Sequence, residues 1–211
     1  MKGMGTYRIS LLKAQHIYGS AKTKTRGLIL AGLFCVSILT GISYSFPAQA
    51  IDFFAGNKMV SAVEKDSVAE ARDALLQGFS VNDRNNDRVP VIILAARSSK
   101  SAVLQFLVDN GARLNVRDSS GATALTEAAN VGSLVMVRSL VEGGADPDQT
   151  GLGNQTALMI AAARGAEQIV SYLVSKGADV NASDYTGRTA LDLAEEKGFI
   201  NIAAQLRAAG T

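Results

Sequence analysis

Apolar and polar positions along most of the chain alternate on two scales. On the short scale they follow helical spacing: Leu134, Val137, Leu140 and Val141 share one side of a helix. Ala71, Ala74 and Leu75 do the same, with Glu70, Arg72 and Asp73 between them. On the long scale the pattern returns every 33 residues. Leu107, Leu140, Leu173 and Leu206 form one series, and Ile92, Leu125, Leu158 and Leu191 a second. Ala95, Ala128, Ala161 and Ala194 form a third, with Gly132, Gly165 and Gly198 a fourth. Gly78, Gly111, Gly144 and Gly177 keep the same spacing. Self-similarity at a period of this size predicts a stack of small units, each too small to bury its apolar side alone.

Each period reads as two helices. Thr123, Thr156 and Thr189 precede Ala-Leu and a short apolar run, and a Thr hydroxyl there can accept from free N–H groups of the first turn. The glycine at 132, 165 or 198 breaks that helix, and a second follows. It ends at a Gly-Ala phrase suited to a left-handed cap. About five helix-turn-helix units are predicted, over residues 57–78, 79–111, 112–144, 145–177 and 178–210 of a domain spanning 51–211. The first lacks the preceding loop phrase, yet Met59 and Ala62 hold the register of Leu125 and Ala128. An atypical first unit suits a stack whose end must cover an apolar side, and Asn201, Gln205 and Arg207 decorate the last helix in the same way.

Asp184-Tyr185-Thr186-Gly187-Arg188-Thr189-Ala190-Leu191-Asp192-Leu193-Ala194, together with Gly177-Ala178-Asp179-Val180-Asn181, resembles the ankyrin repeat family. The family consensus is Asp-x-x-Gly-x-Thr-Pro-Leu-His-x-Ala, two helices and Gly-Ala-Asp-Val-Asn. The resemblance covers about residues 57–211 and implies an α-solenoid whose helix pairs are joined by hairpin-like loops. Ala190 and Asp192 stand where the family has Pro and His, and no unit has the His, which removes some hydrogen bonding between repeats.

Charge divides the chain. Residues 1–50 hold Lys2, Arg8, Lys13, Lys22, Lys24 and Arg26 and no acid. Removing those six from the 21 basic residues leaves 15 against 19 acidic ones, so the rest is net negative and nothing in it asks for nucleic acid. After the basic flank, Leu28 to Ile42 is apolar, and Ala48-Gln49-Ala50 provides a small-x-small exit. These are the parts of a secretory signal peptide cleaved after Ala50. The alternative is an uncleaved anchor over Leu28 to Phe46, about the length that crosses a bilayer. Either way residues 51–211 are expected outside the cytoplasm, in the periplasm or secreted. Leu33-Phe34 ahead of Cys35 argue against a lipoprotein signal.

His16 and Cys35 are the sole residues of their kinds, and the chain has no Trp. A cleaved domain would therefore lack His-dependent nucleophiles, thiol chemistry and the usual zinc ligands. Ser98-Ser99-Lys100-Ser101 falls in a turn between helices. Asp83, Asn85 and Asp87, and likewise Asp146 and Asp148, read as turn residues that bond their own backbone, without the bidentate Glu of a calcium loop. Gly151-Leu152-Gly153 lacks the lysine of a phosphate loop. The expectation is a monomeric protein without enzymatic activity, cofactor or metal.

The resemblance implies protein binding on the concave side, through loop tips and the ends of the first helices. Carried onto this register, the contact positions include Arg97, Asn130, Leu152, Arg164, Tyr185 and Arg188. Arg97, Asn130 and Arg164 would form a mildly positive stripe suited to an acidic partner segment. Small exported bacterial proteins of this kind include ones linked to catalase function in oxidative-stress defence and ones that neutralise toxins. The resemblance leaves those alternatives open, together with a membrane-tethered scaffold.

Overall fold

The computed structural model describes residues 57–210; the expected leader, its cleavage point, His16 and Cys35 lie outside them. Ten α-helices follow in pairs: α1 (Lys58–Lys65) with α2 (Val68–Leu76), α3 (Val91–Arg97) with α4 (Ser101–Asp109), α5 (Ala124–Val131) with α6 (Leu134–Glu142), α7 (Ala157–Arg164) with α8 (Glu167–Ser175), and α9 (Ala190–Glu196) with α10 (Ile200–Ala209). First helices stack on first helices and second on second, which makes an α-solenoid. There is no strand among the described residues, only an isolated antiparallel bridge between Arg84 and Pro90. The loops between pairs resemble hairpins in having one closing backbone bond, as from Asp184 N to Arg188 O at 3.0 Å.

The threonines cap as their position predicts. Thr123, Thr156 and Thr189 each accept at Oγ1 from the N–H three residues on. At α5 and α9 the third helical residue, Thr126 or Asp192, accepts in return from the threonine's own N–H, closing a capping box. Thr126 and Asp192 hold the family's His position, and their bonds stay within their own repeat.

The core follows the register. Ala95, Ala128, Ala161 and Ala194 are fully enclosed, as are Leu107, Leu140 and Leu173. Ile92, Leu125 and Leu158 are buried, but Leu191 is only half-buried, because no further first helix covers α9 among the described residues. Between pairs runs a ladder of polar bonds. Asn82 Oδ1 accepts from Arg113 N at 2.8 Å, Asn115 Oδ1 from Asp146 N at 2.9 Å and Asp148 Oδ1 from Asp179 N at 2.8 Å. The turn expectation holds for Asp146, which accepts from Asp148 N, for Asn85, which accepts from Asp87 N and Val89 N, and for Asp83, which accepts from Ser80 N, whereas Asp148 itself reaches across to the next repeat because its side chain lies at the ladder position.

Backbone handedness extends the register to residues that are not glycine. Gly132, Gly165 and Gly198 all have positive φ, and so do Asp66 (52°) and Ser99 (58°) at the equivalent places in the first two pairs. The loops show the same rule, with Arg88 (64°) and Asn154 (62°) standing where other loops have Gly121 and Gly187. The turn is imposed by the stack even where the residue is a poor left-handed former.

Candidate partner-binding face

The loop tips and first helices build the candidate site. Between the third and fourth pairs they enclose an open depression of about 310 Å³. From α5 come Thr126, Glu127 and Asn130, at helical spacing; from α7 come Ile160, Ala163 and Arg164. The loop before α5 contributes Ser120 and Ala122, and the loop before α7 contributes Leu152 and Gln155. Three residues expected from sequence, Asn130, Leu152 and Arg164, therefore meet in one place. Thr126, Glu127 and Ile160 were not expected there. Their positions one turn before Asn130 and Arg164 were the available signal.

Leu152 is 67% exposed at its tip, and Tyr185 is 83% exposed at the equivalent tip of the next loop. The two tips touch through the backbone, Tyr185 N donating to Gly153 O at 3.2 Å. Tyr185 does not line the depression but continues its apolar edge. The tip itself is a short 3-10 turn over Leu152–Asn154 with Gly153 in the left-handed region (φ 72°).

The arginines are placed differently from the expected stripe. Arg97 Nη2 reaches Asp118 Oδ2 and Glu127 Oε1, each at 2.7 Å, and its Nε also donates to Glu127. The Asp118 hydrogen bond is the main cause that raises the Arg97 pKa. Burial pushes the Asp118 carboxyl up, but hydrogen bonds from Ser120, Arg97 and the Ala122 backbone outweigh it and leave it below the ordinary value. Arg188 is held likewise, by Asp184 Oδ2 at 3.0 Å and Glu196 Oε2 at 3.2 Å. Both groups place two carboxylates around one cation. Arg164 instead donates to the neutral Asn130 Oδ1, and it has no ion pair among the described residues. The continuous positive stripe is thus replaced by an uncompensated cation between clusters in which acid exceeds base.

Asp184 organises the loop before α9. Its Oδ1 accepts from Thr186 N, Thr186 Oγ1 and Arg188 N, and its Oδ2 from the Arg188 guanidinium. The Thr186 hydroxyl is the largest cause that holds its carboxyl far below the ordinary value; burial opposes it and the Arg188 bonds assist.

Among the described residues no group of three His, Cys, Asp or Glu could hold a metal ion, and no helix is long and apolar enough to cross a membrane. Ser99 lies in a left-handed turn beside Ser98, the C-cap of α3, as the turn assignment expects.

A stack of helix pairs with polar ladders and projecting loop tips defines a helical repeat protein. The particular class follows from comparison: the family of ankyrin repeats (3 copies) matches residues 59–151 and 144–211, so the chain belongs to the ankyrin repeat family. Ankyrin repeats are generally protein-interaction modules and are typically non-enzymatic. No curated protein matches the chain.

Proposed function

We propose that this chain is a non-enzymatic binding module acting outside the cytoplasm, in the periplasm or after secretion, and that it holds a protein partner on the concave side. The observation that carries the reading is the convergence of Asn130, Leu152 and Arg164 on one depression whose edge is prolonged by exposed Tyr185. A large apolar side chain held out at a loop tip gains no folding energy from exposure, and tyrosine and arginine are among the residues that dominate interface energetics. The site is proposed to centre on Asn130, Leu152 and Arg164, with Tyr185 beside them; Arg97 and Arg188 rigidify its flanks.

Export is supported by the basic flank, the apolar run Leu28 to Ile42 and the Ala48-Gln49-Ala50 exit. Amino-terminal sequencing of the natural protein tests it: a start at Ile51 is expected, and an intact amino terminus on membrane-bound protein would favour a tethered scaffold instead. Recognition is tested by capturing partners with the natural protein and repeating the capture with Leu152→Ser and Tyr185→Ser together. A partner held equally well by the double variant would place its binding elsewhere.

A further inference from the structure

We infer that the partner presents one carboxylate side chain next to an apolar side chain, the apolar group entering the depression beside Leu152 and Ile160 and the carboxylate accepting hydrogen bonds from Arg164. This rests on the concave-side reading above and narrows it to a chemistry. Arg164 is exposed, and its described hydrogen bond goes to a neutral amide oxygen, Asn130 Oδ1. A guanidinium carries five N–H donors in a planar fork matched to a carboxylate, and Arg164 lines the depression with most of that capacity unspent. Beside it Leu152, Ile160, Ala122 and Ala163 offer apolar surface. The flanks set the limit on charge. Arg97 sits between Asp118 and Glu127, and Arg188 between Asp184 and Glu196. Glu127 also lines the depression, with its Oε1 bound by Arg97. A run of acidic residues would therefore meet excess negative charge on both sides, whereas a single carboxylate meets unspent donors. Like-charge juxtaposition at an interface costs enough to reject the wrong partner.

The probe is a phage-displayed library of random dodecapeptides panned on the full-length protein. Enriched peptides are then synthesised with a fluorophore, and their affinities measured by anisotropy against wild type, Arg164→Gln and Leu152→Ser. Each peptide is also made with its acid changed to the amide. Enriched peptides should share one Asp or Glu within two residues of Leu, Ile, Met or Phe. The amide change and Arg164→Gln should each weaken binding about tenfold, and together no more than either alone, because they remove the same charge-assisted bond. Peptides without an acid, peptides with acidic runs, or affinities indifferent to Arg164→Gln would overturn the inference; if Leu152→Ser still weakened them, the concave-side reading would survive. Indifference to both variants would remove the inference and the reading together. Failure to enrich any peptide would also count against the inference.

Discussion

The loops before α7 and α9 occupy the same place one step apart in the stack and are bonded to each other, yet only the second has a side-chain staple of its own. Before α9, Asp184 gathers the loop from within, accepting from Thr186 and Arg188 backbone and side chains. Before α7 the equivalent residue is Gly151, which can accept nothing through a side chain. That loop is tied from outside: Arg117 donates to Thr150 Oγ1 at 2.7 Å, Asn154 Nδ2 to Ser183 O at 2.9 Å, and Tyr185 N to Gly153 O. The reason lies in the preceding pair. A Cβ at Gly151 would stand 3.0 Å from both Oγ1 and Cγ2 of Thr126, whose hydroxyl is fixed by the capping box of α5. Thr126 and Gly151 therefore form a matched pair across neighbouring repeats. An apolar or aromatic side chain projects from both tips, Leu152 from one and Tyr185 from the other, but only the stapled loop locks an arginine, Arg188, in an ion-pair cluster where the loop before α7 has Gln155.

The sharpest way to break this comparison is Asp184→Ala, which strips the loop before α9 of its organiser and leaves Arg188 with Glu196 as its one carboxylate partner. It should lower Tm more than any other single substitution in these two loops; an unchanged melting curve would mean that the bonds to the neighbouring loop suffice to hold this one. Gly151→Ala comes next, with a loss of about 1–3 kcal/mol from overpacking against a side chain that cannot rotate away. Urea melts of Gly151→Ala in a Thr126→Ala background should show a favourable coupling of about 1 kcal/mol. Additive losses would mean the two residues are not matched.

Acid gives a smaller, graded test. Because the Asp184 carboxyl is depressed in the folded protein, its contribution is complete above the ordinary carboxylate value of 3.8 and is lost as pH falls toward the folded value. The Tm difference between wild type and Asp184→Asn should stay constant from pH 7 to about 5 and narrow below 3.8. A difference that widened with acid would have the wrong sign. Smallest in stability are Leu152→Ser and Tyr185→Ser, each expected to change folding by less than about 0.5 kcal/mol because the side chains touch mostly solvent. Their effect should appear in binding, and a large drop in Tm would show that the tips serve the fold.

The architecture was legible because one period runs through independent sets of positions, leucine, alanine and glycine, each of which the stack uses differently. The left-handed turns at Ser99 and Arg88 became visible only in the structure, since neither identity carries that signal, whereas Asp66 and Asn154 are residue types that adopt it readily. The site was only half legible. Asn130, Leu152 and Arg164 could be placed by register, but the fate of each arginine depends on what the next repeat sets against it. Arg97 meets Asp118 and Glu127, which lie 21 and 30 positions ahead, and those partners appear only when one repeat is laid on another. Arg188 shows the same limit at short range, since the Asp184 side chain that fixes its loop also claims its charge.

At the polar ladder, though not at the Thr126–Gly151 contact or around Arg97, one junction between pairs can stand in for another. Excision of residues 112–144 would join Gly111 to Ala145 in phase and offer Asn82 the amide of Asp146 in place of that of Arg113, a bond that Asn115 makes in the intact chain. Such a shortened protein would keep a continuous spine while losing the α5 wall of the depression, so its scaffold could persist after its capacity to recognise a guest had been erased.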